Sequence, residues 1–418
     1  MLKRYLPRIF GDLRIILFII LVGYIIRLLF MPSSVALDLW WASRREYLWA
    51  FKDIFLMNDI TETILGLYIQ LIKPLLPHLG QIFDLTNSQG TINIPEHEIY
   101  TTFSRAMRYV FLFKVPYLIL DTVLLYFVFR FFQDRKKRIT MLLIWALSPA
   151  LIYAAYVVGR YELFPILPTF IALYFAKQKK SFWSLFFLGV AVTTRMSFLI
   201  LVPFFVIYFS NSWKEVIKNT LICALPVIIV TKGIEFLYGH NIFADTLEDG
   251  FIELAVVKPS LGAGFNAFSP ILLLYPLLVF LFYKEKVAMN LYKLSSFCMI
   301  AFLIFYATSY LGPQYFAWFT PFLFVSLTLN KKIFWPLVGL VVFFFILQDV
   351  FSNTITTTMW FYLLDKDFFI SLGGLRNQEF FFNFKQTTLV IILHSIFVFF
   401  AFLTSYILYK DRNEVKTN

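Results

Sequence analysis

Long apolar runs that end at clusters of lysine and arginine recur along this sequence. The run 13–31 follows a basic start, and the run 108–132 ends at the basic cluster 135–138. About 20 apolar residues in a helix are enough to span the hydrocarbon core of a bilayer. Runs of this length and composition therefore predict membrane-spanning helices.

The composition of the chain agrees with a membrane location. Of the 418 residues, 60% are hydrophobic, 20% are aromatic and only 15% are charged. Water-soluble domains average about 45–50% apolar and about 25% charged residues. A soluble enzyme, a disordered tail and a nucleic-acid-binding domain are therefore excluded, and no nucleic acid is expected as a partner.

The basic clusters orient the predicted helices, because lysine and arginine collect in cytoplasmic loops. Following the runs from cluster to cluster predicts an all-α, polytopic helical bundle with about twelve membrane passages and both termini in the cytoplasm. It forms one integral-membrane domain over residues 1–418. Between 182 and 209 the apolar stretches are short and break at Thr193-Thr194-Arg195, which predicts two short helices that meet near the outer surface.

Three polar loops are predicted on the outer side. The first covers about 32–107, the second lies near 238–267, and the last covers about 352–386. Within the first loop, Ile60 to Leu79 carries apolar residues at helical spacing, which predicts an interfacial helix lying on the membrane surface. The polar part of the chain is thus concentrated on one face of the membrane.

Ionisable residues beside the predicted spans are the candidates for function, because charge near hydrocarbon is costly. Asp38 follows the first span, where its carboxylate would be placed to take a proton from an acceptor hydroxyl. The alternative is that Asp38 caps the following helix, since aspartate is a favoured N-cap. The residues themselves leave both interpretations open.

Positive charges near the outer ends of the predicted spans suggest an anionic ligand. Arg195 lies at the break between two short helices, and a guanidinium group suits a phosphate. Lys232 has the same sign and a similar predicted depth, with snorkelling to the surface as the alternative. Arg160 and Glu162 share a tight outer turn and are predicted either to face a polar cavity or to form a local ion pair. Asp121, inside the second span, could pair with Arg195 or make a polar packing contact.

Searches for a metal site and for a nucleotide site find no strong pattern. The four histidines have no metal-ligand spacing, and the acidic residues of Asp365-Lys366-Asp367 are typical of a solvated turn. No divalent metal and no other cofactor is therefore expected. No glycine-rich phosphate loop is present, and this favours a lipid-borne substrate over a soluble nucleotide donor.

Four short motifs follow one another along the chain. They are Trp145-Ala146-Leu147-Ser148-Pro149, Gly159-Arg160-Tyr161-Glu162, Gly189 to Arg195 followed by Leu201-Val202-Pro203, and Gly312 to Phe322. In this order they resemble the motifs of GT-C glycosyltransferases. They look most like those of the mannosyltransferases of GPI-anchor assembly and their prokaryotic relatives.

The resemblance implies an enzyme that transfers mannose or another hexose from a polyprenyl-phosphate carrier. The acceptor would be a hydroxyl of a glycan, lipid or protein on the outer or lumenal face of a prokaryotic cell membrane, or of the ER membrane in a eukaryote. It gives Asp38 the role of general base, in a single inverting displacement. It places Arg195, with Lys232 as a second cation, at the donor phosphate, and Arg160 and Glu162 in the polar turn.

The chain also departs from the pattern of this superfamily. Relatives often carry a second acid close to the first, whereas Leu39-Trp40-Trp41 follows Asp38 here, and Ser148 replaces the usual asparagine. Two other classes therefore stay open. One is a flippase or transporter of lipid-linked sugars or polysaccharides, and the other is a non-catalytic scaffold or an inactive transferase descendant.

Overall fold

The structure is a computed structural model of the full chain. It describes residues 2–34, 37–54, 60–77, 79, 105–238, 271–286, 290–308, 313–351, 364 and 386–414. Most of the second and last predicted outer loops, including Asp365 and Asp367, lie outside the described residues. In these ranges the chain is mainly helical and contains no strand.

Many of the helices are separated by only a few residues. In chain order they are α1 (Leu2–Ser33), α2 (Leu37–Lys52), α3 (Ile60–Ile72), α4 (Ala106–Phe131), α5 (Arg135–Leu147), α6 (Pro149–Ile152), α7 (Leu163–Lys177), α8 (Ser181–Thr194), α9 (Val202–Phe209), α10 (Trp213–Tyr238), α11 (Ile271–Lys284), α12 (Leu291–Thr308), α13 (Thr320–Leu329), α14 (Phe334–Phe351) and α15 (Gln386–Lys410).

The all-α fold class and the membrane-compatible helices are confirmed. In the described residues six helical segments are long and apolar enough to cross a membrane, and four shorter apolar helices accompany them. The segments 314–329 and 331–347 are bent by 120° at Asn330 and together make at most one more span. This count is smaller than the prediction, because several of the predicted passages are helices of only 10–17 residues. The figure of about twelve passages and the sidedness of the termini stay predictions.

Burial separates central from peripheral helices. In the apolar part of α12, 83% of the residues are buried inside the protein, against 22% for α10 and 28% for α15. Helix α7 is buried on all sides from Leu163 to Leu173. A helix that is apolar on all sides packs against protein or lipid on every face. Since most residues of α7 and α12 are buried inside the protein, these two helices form the centre of the bundle.

Polar contacts join the ends of several helices that the basic clusters assign to the cytoplasm. The Arg412 Nε lies 2.6 Å from Glu285 Oε1, and Lys293 Nζ lies 3.4 Å from Glu285 Oε2. Asn330 Nδ2 donates to Asp411 Oδ2 at 3.0 Å, and Lys332 Nζ lies 3.1 Å from the same oxygen. The ends of α11, α13 and α15 and the start of α12 therefore meet at one end of the bundle.

The first predicted outer loop contains two helices that pack on each other and on α4. Arg45 of α2 forms an ion pair with Glu62 of α3 at 2.8 Å, and the Tyr68 hydroxyl donates to the Leu112 carbonyl at 2.9 Å. A helix is present at the predicted position as α3, followed by a 3-10 turn to Leu75. Its location on the membrane surface stays a prediction. Its apolar stripe faces outward, with Ile64, Leu67, Leu71 and Leu75 all exposed.

Candidate functional site

A sharp turn between α6 and α7 carries two of the predicted site residues. After α6 the chain makes a π-helical turn over Tyr153–Val158, which ends at Gly159 with a φ of +76°. Glycine adopts this left-handed conformation without steric cost. A Cβ at Gly159 would also lie 3.1 Å from Lys114 Cε and 3.2 Å from Leu39. The turn therefore requires glycine at this position. It is followed directly by Arg160, which is partly buried, and by Glu162, which is fully buried.

Arg195 lies at a second break, where the sequence predicted one. Helix α8 ends at Thr194, and Arg195 is extended, with φ −153° and ψ 108°, before a 3-10 turn over Met196–Leu201. The Thr193 hydroxyl donates to the Gly189 carbonyl and the Thr194 hydroxyl to the Ala191 carbonyl, at 2.8 and 2.9 Å. The Arg195 backbone N–H donates to the Ala191 carbonyl at 3.0 Å and closes the last turn of α8.

The two breaks meet through an ion pair. Arg195 Nη2 lies 3.1 Å from Glu162 Oε1, and the exposed fraction is 20% for the arginine side chain and 1% for the glutamate. The Trp318 indole N–H donates to the other oxygen, Oε2. With one oxygen bound to each donor, the Glu162 carboxylate is fixed in orientation, and it orients the guanidinium group in turn.

Aromatic rings surround this arginine. The Arg195 Cζ lies 4.7 Å from the ring centre of Tyr161 and 5.6 Å from that of Tyr315. Arg160 Nη1 donates to the Tyr161 hydroxyl at 3.1 Å, so one tyrosine contacts both arginines. Rings within about 6 Å of a cation stabilise its charge, and they narrow the directions from which an anion can reach Arg195.

Helix α2 approaches the same turn from the first outer loop. Its Leu39 side chain, 1% exposed, packs against Gly159. Ser43 and Glu46, four and seven residues further on, lie on the same helix face and are also buried. Asp38 is the second residue of α2, so its backbone lies beside the turn and inside the helix rather than before it. Its side chain lies outside the described residues, and its role as a base stays a prediction.

Tyr117 of α4 is near the charges of both the loop and the turn. Glu46, Arg160 and Glu162 all act electrostatically on its hydroxyl. The site thus combines side chains from α2, α4, the turn before α7 and the break after α8. Sequence reasoning missed Glu46, Tyr117 and Trp318. Because 20% of the residues are aromatic, an aromatic side chain alone does not indicate a functional site. The one sequence signal for Trp318 is its position in the motif Gly312 to Phe322.

Lys114 links the segment before Asp38 to the segment before Arg160. This lysine of α4 is fully buried, and its Nζ donates to the carbonyls of Ser34 and Tyr156, both at 2.6 Å. The end of α1 and the π-helical turn both offer carbonyls that lack a partner within a regular helix. A single amine therefore holds together the chain segments that carry the two sides of the site.

A buried ion pair lies about two helical turns beyond Lys114 on α4. Asp121 pairs with Arg27 of α1, and both are fully buried. The carboxylate also accepts the Trp145 indole N–H at 2.7 Å and the Tyr156 hydroxyl at 2.8 Å. Of the two possibilities left open by the sequence, pairing of Asp121 with Arg195 is wrong, because Arg27 occupies the carboxylate. The network fixes α1, α4 and α5 to the π-helical turn.

Lys232 is placed differently from Arg195. Its side chain is 72% exposed and forms an ion pair with Glu235 at 2.6 Å, three residues along α10. Such exposed pairs contribute little stability. Because most of the Lys232 side chain is exposed, its ammonium group stays accessible. In the part of the chain that the structure describes, the ion-pair partner of Lys232 is Glu235 and not a residue of the Arg195–Glu162 pair. The role of Lys232 at a donor phosphate stays a prediction.

The chain matches no family model, no curated protein and no solved structure. In the described ranges no group of three or more histidine, cysteine or carboxylate side chains is placed to hold a metal ion. The arrangement offers a partly exposed guanidinium group on a fixed carboxylate, which can bind an anion.

Proposed function

We propose that the protein is a membrane glycosyltransferase that moves a hexose, mannose among the candidates, from a polyprenyl-phosphate donor to an acceptor hydroxyl on the outer face. The observation that carries the proposal is the Arg195–Glu162 ion pair. Glu162 is buried and held by Trp318, whereas Arg195 is partly exposed. A guanidinium group oriented in this way is preorganised to bind the charge of a leaving phosphate.

The location of the pair supports a donor that approaches from the membrane. Arg195 follows a short apolar helix, and an arginine at such a depth calls for an anionic partner. Glu162 neutralises the arginine in the absence of a ligand. A phosphate that docks on the exposed side of the guanidinium group would share it with Glu162, because the fork presents five N–H donors.

The proposed reaction is a single displacement at the anomeric carbon. The acceptor oxygen forms a bond to this carbon while the bond from the carbon to the phosphate oxygen breaks. The electron pair of that bond leaves with the lipid phosphate, whose charge Arg195 stabilises, with Lys232 as a second cation. The proton of the acceptor hydroxyl passes to the Asp38 carboxylate. One displacement inverts the anomeric configuration and needs no covalent enzyme intermediate.

Transfer of a labelled sugar in proteoliposomes tests this function. The donors are defined polyprenyl-phosphate hexoses and the variants are wild type and Asp38→Asn, which keeps the size of the side chain and removes its basicity. We expect transfer by wild type and a loss of 100-fold or more in the variant, since general base catalysis contributes about 10²–10⁴-fold. Undiminished transfer by Asp38→Asn would remove Asp38 from the mechanism.

The same vesicles distinguish a glycosyltransferase from a transporter of lipid-linked sugars. Movement of the labelled lipid from one leaflet to the other, without any transferred sugar, would identify a flippase. The fully buried Arg27–Asp121 pair argues against a charged path at that depth, because both partners are closed off from solvent.

A further inference from the structure

An apolar groove lies on the side of the bundle, away from the Arg195 cluster. It has a volume of about 620 Å³, which is in the range of about 300–1,000 Å³ for ligand sites. Its walls are α5, α13 and α14, and the inner surface is almost wholly aliphatic. Residues that line it include Leu143, Leu147, Leu323, Leu327, Val338 and Val342.

The groove is open to the surroundings of the bundle. Leu143, Leu147 and Val342 on its walls are 41%, 54% and 46% exposed. In a chain with this composition, the medium beside such residues is lipid. From Thr140 to Leu147 the α5 wall is about 10 Å long at 1.5 Å per residue, which allows part of an acyl chain to lie along it.

One end of the groove carries a positive charge. Lys331 lines it there, beside Phe334 and Trp335, and this Trp335 is 74% exposed. Lysine and tryptophan are typical of the level of the lipid headgroups. The neighbouring Lys332 pairs with Asp411 at 3.1 Å, whereas no ion pair of Lys331 occurs among the described residues. Among the described residues that line the groove, none is acidic.

We propose that this groove binds an anionic phospholipid of the inner leaflet, with its phosphate at Lys331 and its acyl chains between α5 and α14. Lys331 belongs to one of the basic clusters that orient the chain, so the charged end lies on the side that those clusters assign to the cytoplasm. The phosphate of a donor at Arg195 would lie on the opposite side. The lipid site does not depend on the glycosyltransferase function.

Native mass spectrometry of the purified full chain, titrated with dioleoyl phosphatidylglycerol or dioleoyl phosphatidylcholine, tests the proposal. Wild type is expected to bind phosphatidylglycerol more tightly. Lys331→Ala should weaken that binding about fivefold, the effect of one lysine near an anionic headgroup. The matched control is Lys218→Ala, an exposed lysine of α10 outside the groove, which should change nothing.

A second pair of variants tests the apolar part of the groove. Val338→Trp fills it and should lower phosphatidylglycerol binding at least tenfold, while Val123→Trp, on an exposed face of α4, should not. If Val338→Trp does not fold, Val341→Phe replaces it. The proposal would be overturned if the two lipids bound equally, if filling the groove had no effect, or if Lys218→Ala caused the same loss as Lys331→Ala. It would also be overturned if polyprenyl phosphate bound in preference to phosphatidylglycerol. A wild-type dimer that Val338→Trp converts to a monomer would show instead that a second copy of the chain occupies the groove. None of these measurements involves sugar transfer.

Discussion

Arg195 and Glu162 form an ion pair of 3.1 Å across 33 residues of sequence, and each lies at an interruption between helices. Glu162 is held on its other oxygen by Trp318, 156 residues further on. Three segments that the chain separates widely are thus joined at a single carboxylate. In the proposed mechanism, Glu162 is a positioning residue, and Arg195 is the group that contacts the donor phosphate.

Glu162→Gln should therefore lower transfer through Arg195. The amide keeps the size of the side chain but loses a charge-assisted hydrogen bond, which contributes about 1.5–3 kcal/mol. We expect kcat/KM to fall roughly 10- to 100-fold. In an Arg195→Ala background the same change should have little further effect, because the two residues act as a unit. Additive losses in this double-mutant cycle would show that Glu162 acts independently of Arg195.

The Arg27–Asp121 pair should be a main determinant of stability. Asp121→Leu leaves a buried guanidinium group without its carboxylate, at a cost of about 3–5 kcal/mol. Arg27→Met combined with Asp121→Leu should recover part of this loss, because no charge is then left unpaired. Thermal unfolding in detergent measures both effects. Thr122→Val, at the exposed neighbouring position, is the control, and an equal loss there would contradict the role of the pair.

Much of the local structure could be predicted from the sequence. The apolar runs gave the helices, the polar Gly159 to Glu162 segment gave the turn, and Thr193-Thr194-Arg195 gave the break after α8. These features depend on short-range patterns, in which periodicity and breakers carry the information. The number of full spans could not be predicted from the sequence. Helices such as α8 and α9 are so short that their length does not show whether they cross the membrane.

The pairing of distant side chains could not be predicted. Nothing in the spacing of Arg27 and Asp121 indicates that α1 packs beside α4, and this contact decided the partner of Asp121. Glu162 could be assigned to a polar turn, but its contact with Trp318 depends on how the two segments fold together. The outcome for Asp38 remains a prediction, since its side chain lies outside the described residues.

Close packing of α8 on α10 makes Gly189 sensitive to substitution. A Cβ there would lie 2.1 Å from the Cys223 carbonyl oxygen and 2.9 Å from Pro226 Cδ. Gly189→Ala should therefore destabilise the protein by about 1–3 kcal/mol. Gly233→Ala is the matched control on α10, because a Cβ there meets nothing within 4 Å. Equal shifts in melting temperature for the two variants would refute the close approach.

The contact of α3 with α4 should weaken at high pH. Burial raises the pKa of Tyr68 from 10.0 to about 12, and its hydroxyl donates to the Leu112 carbonyl. Because the folded pKa exceeds the unfolded one, this stabilisation is fully present below pH 10 and is lost between about pH 10 and 12. Absorbance titration of wild type against Tyr68→Phe should show one tyrosine fewer ionising near pH 12. A difference centred at pH 10 would contradict the burial of this hydroxyl.

Sugar transfer by Arg195→Ala tests most directly whether Arg195 stabilises the leaving phosphate. With a polyprenyl-phosphate hexose as donor and saturating acceptor, we expect kcat/KM about 10²–10³-fold below wild type, as for the loss of one group that stabilises developing charge. Arg130→Ala, an exposed arginine at the basic end of α4, should transfer at the wild-type rate. Unchanged transfer by Arg195→Ala would contradict the role of Arg195 at the donor phosphate. An absence of transfer by wild type from any polyprenyl-phosphate hexose would contradict the proposed glycosyltransferase function.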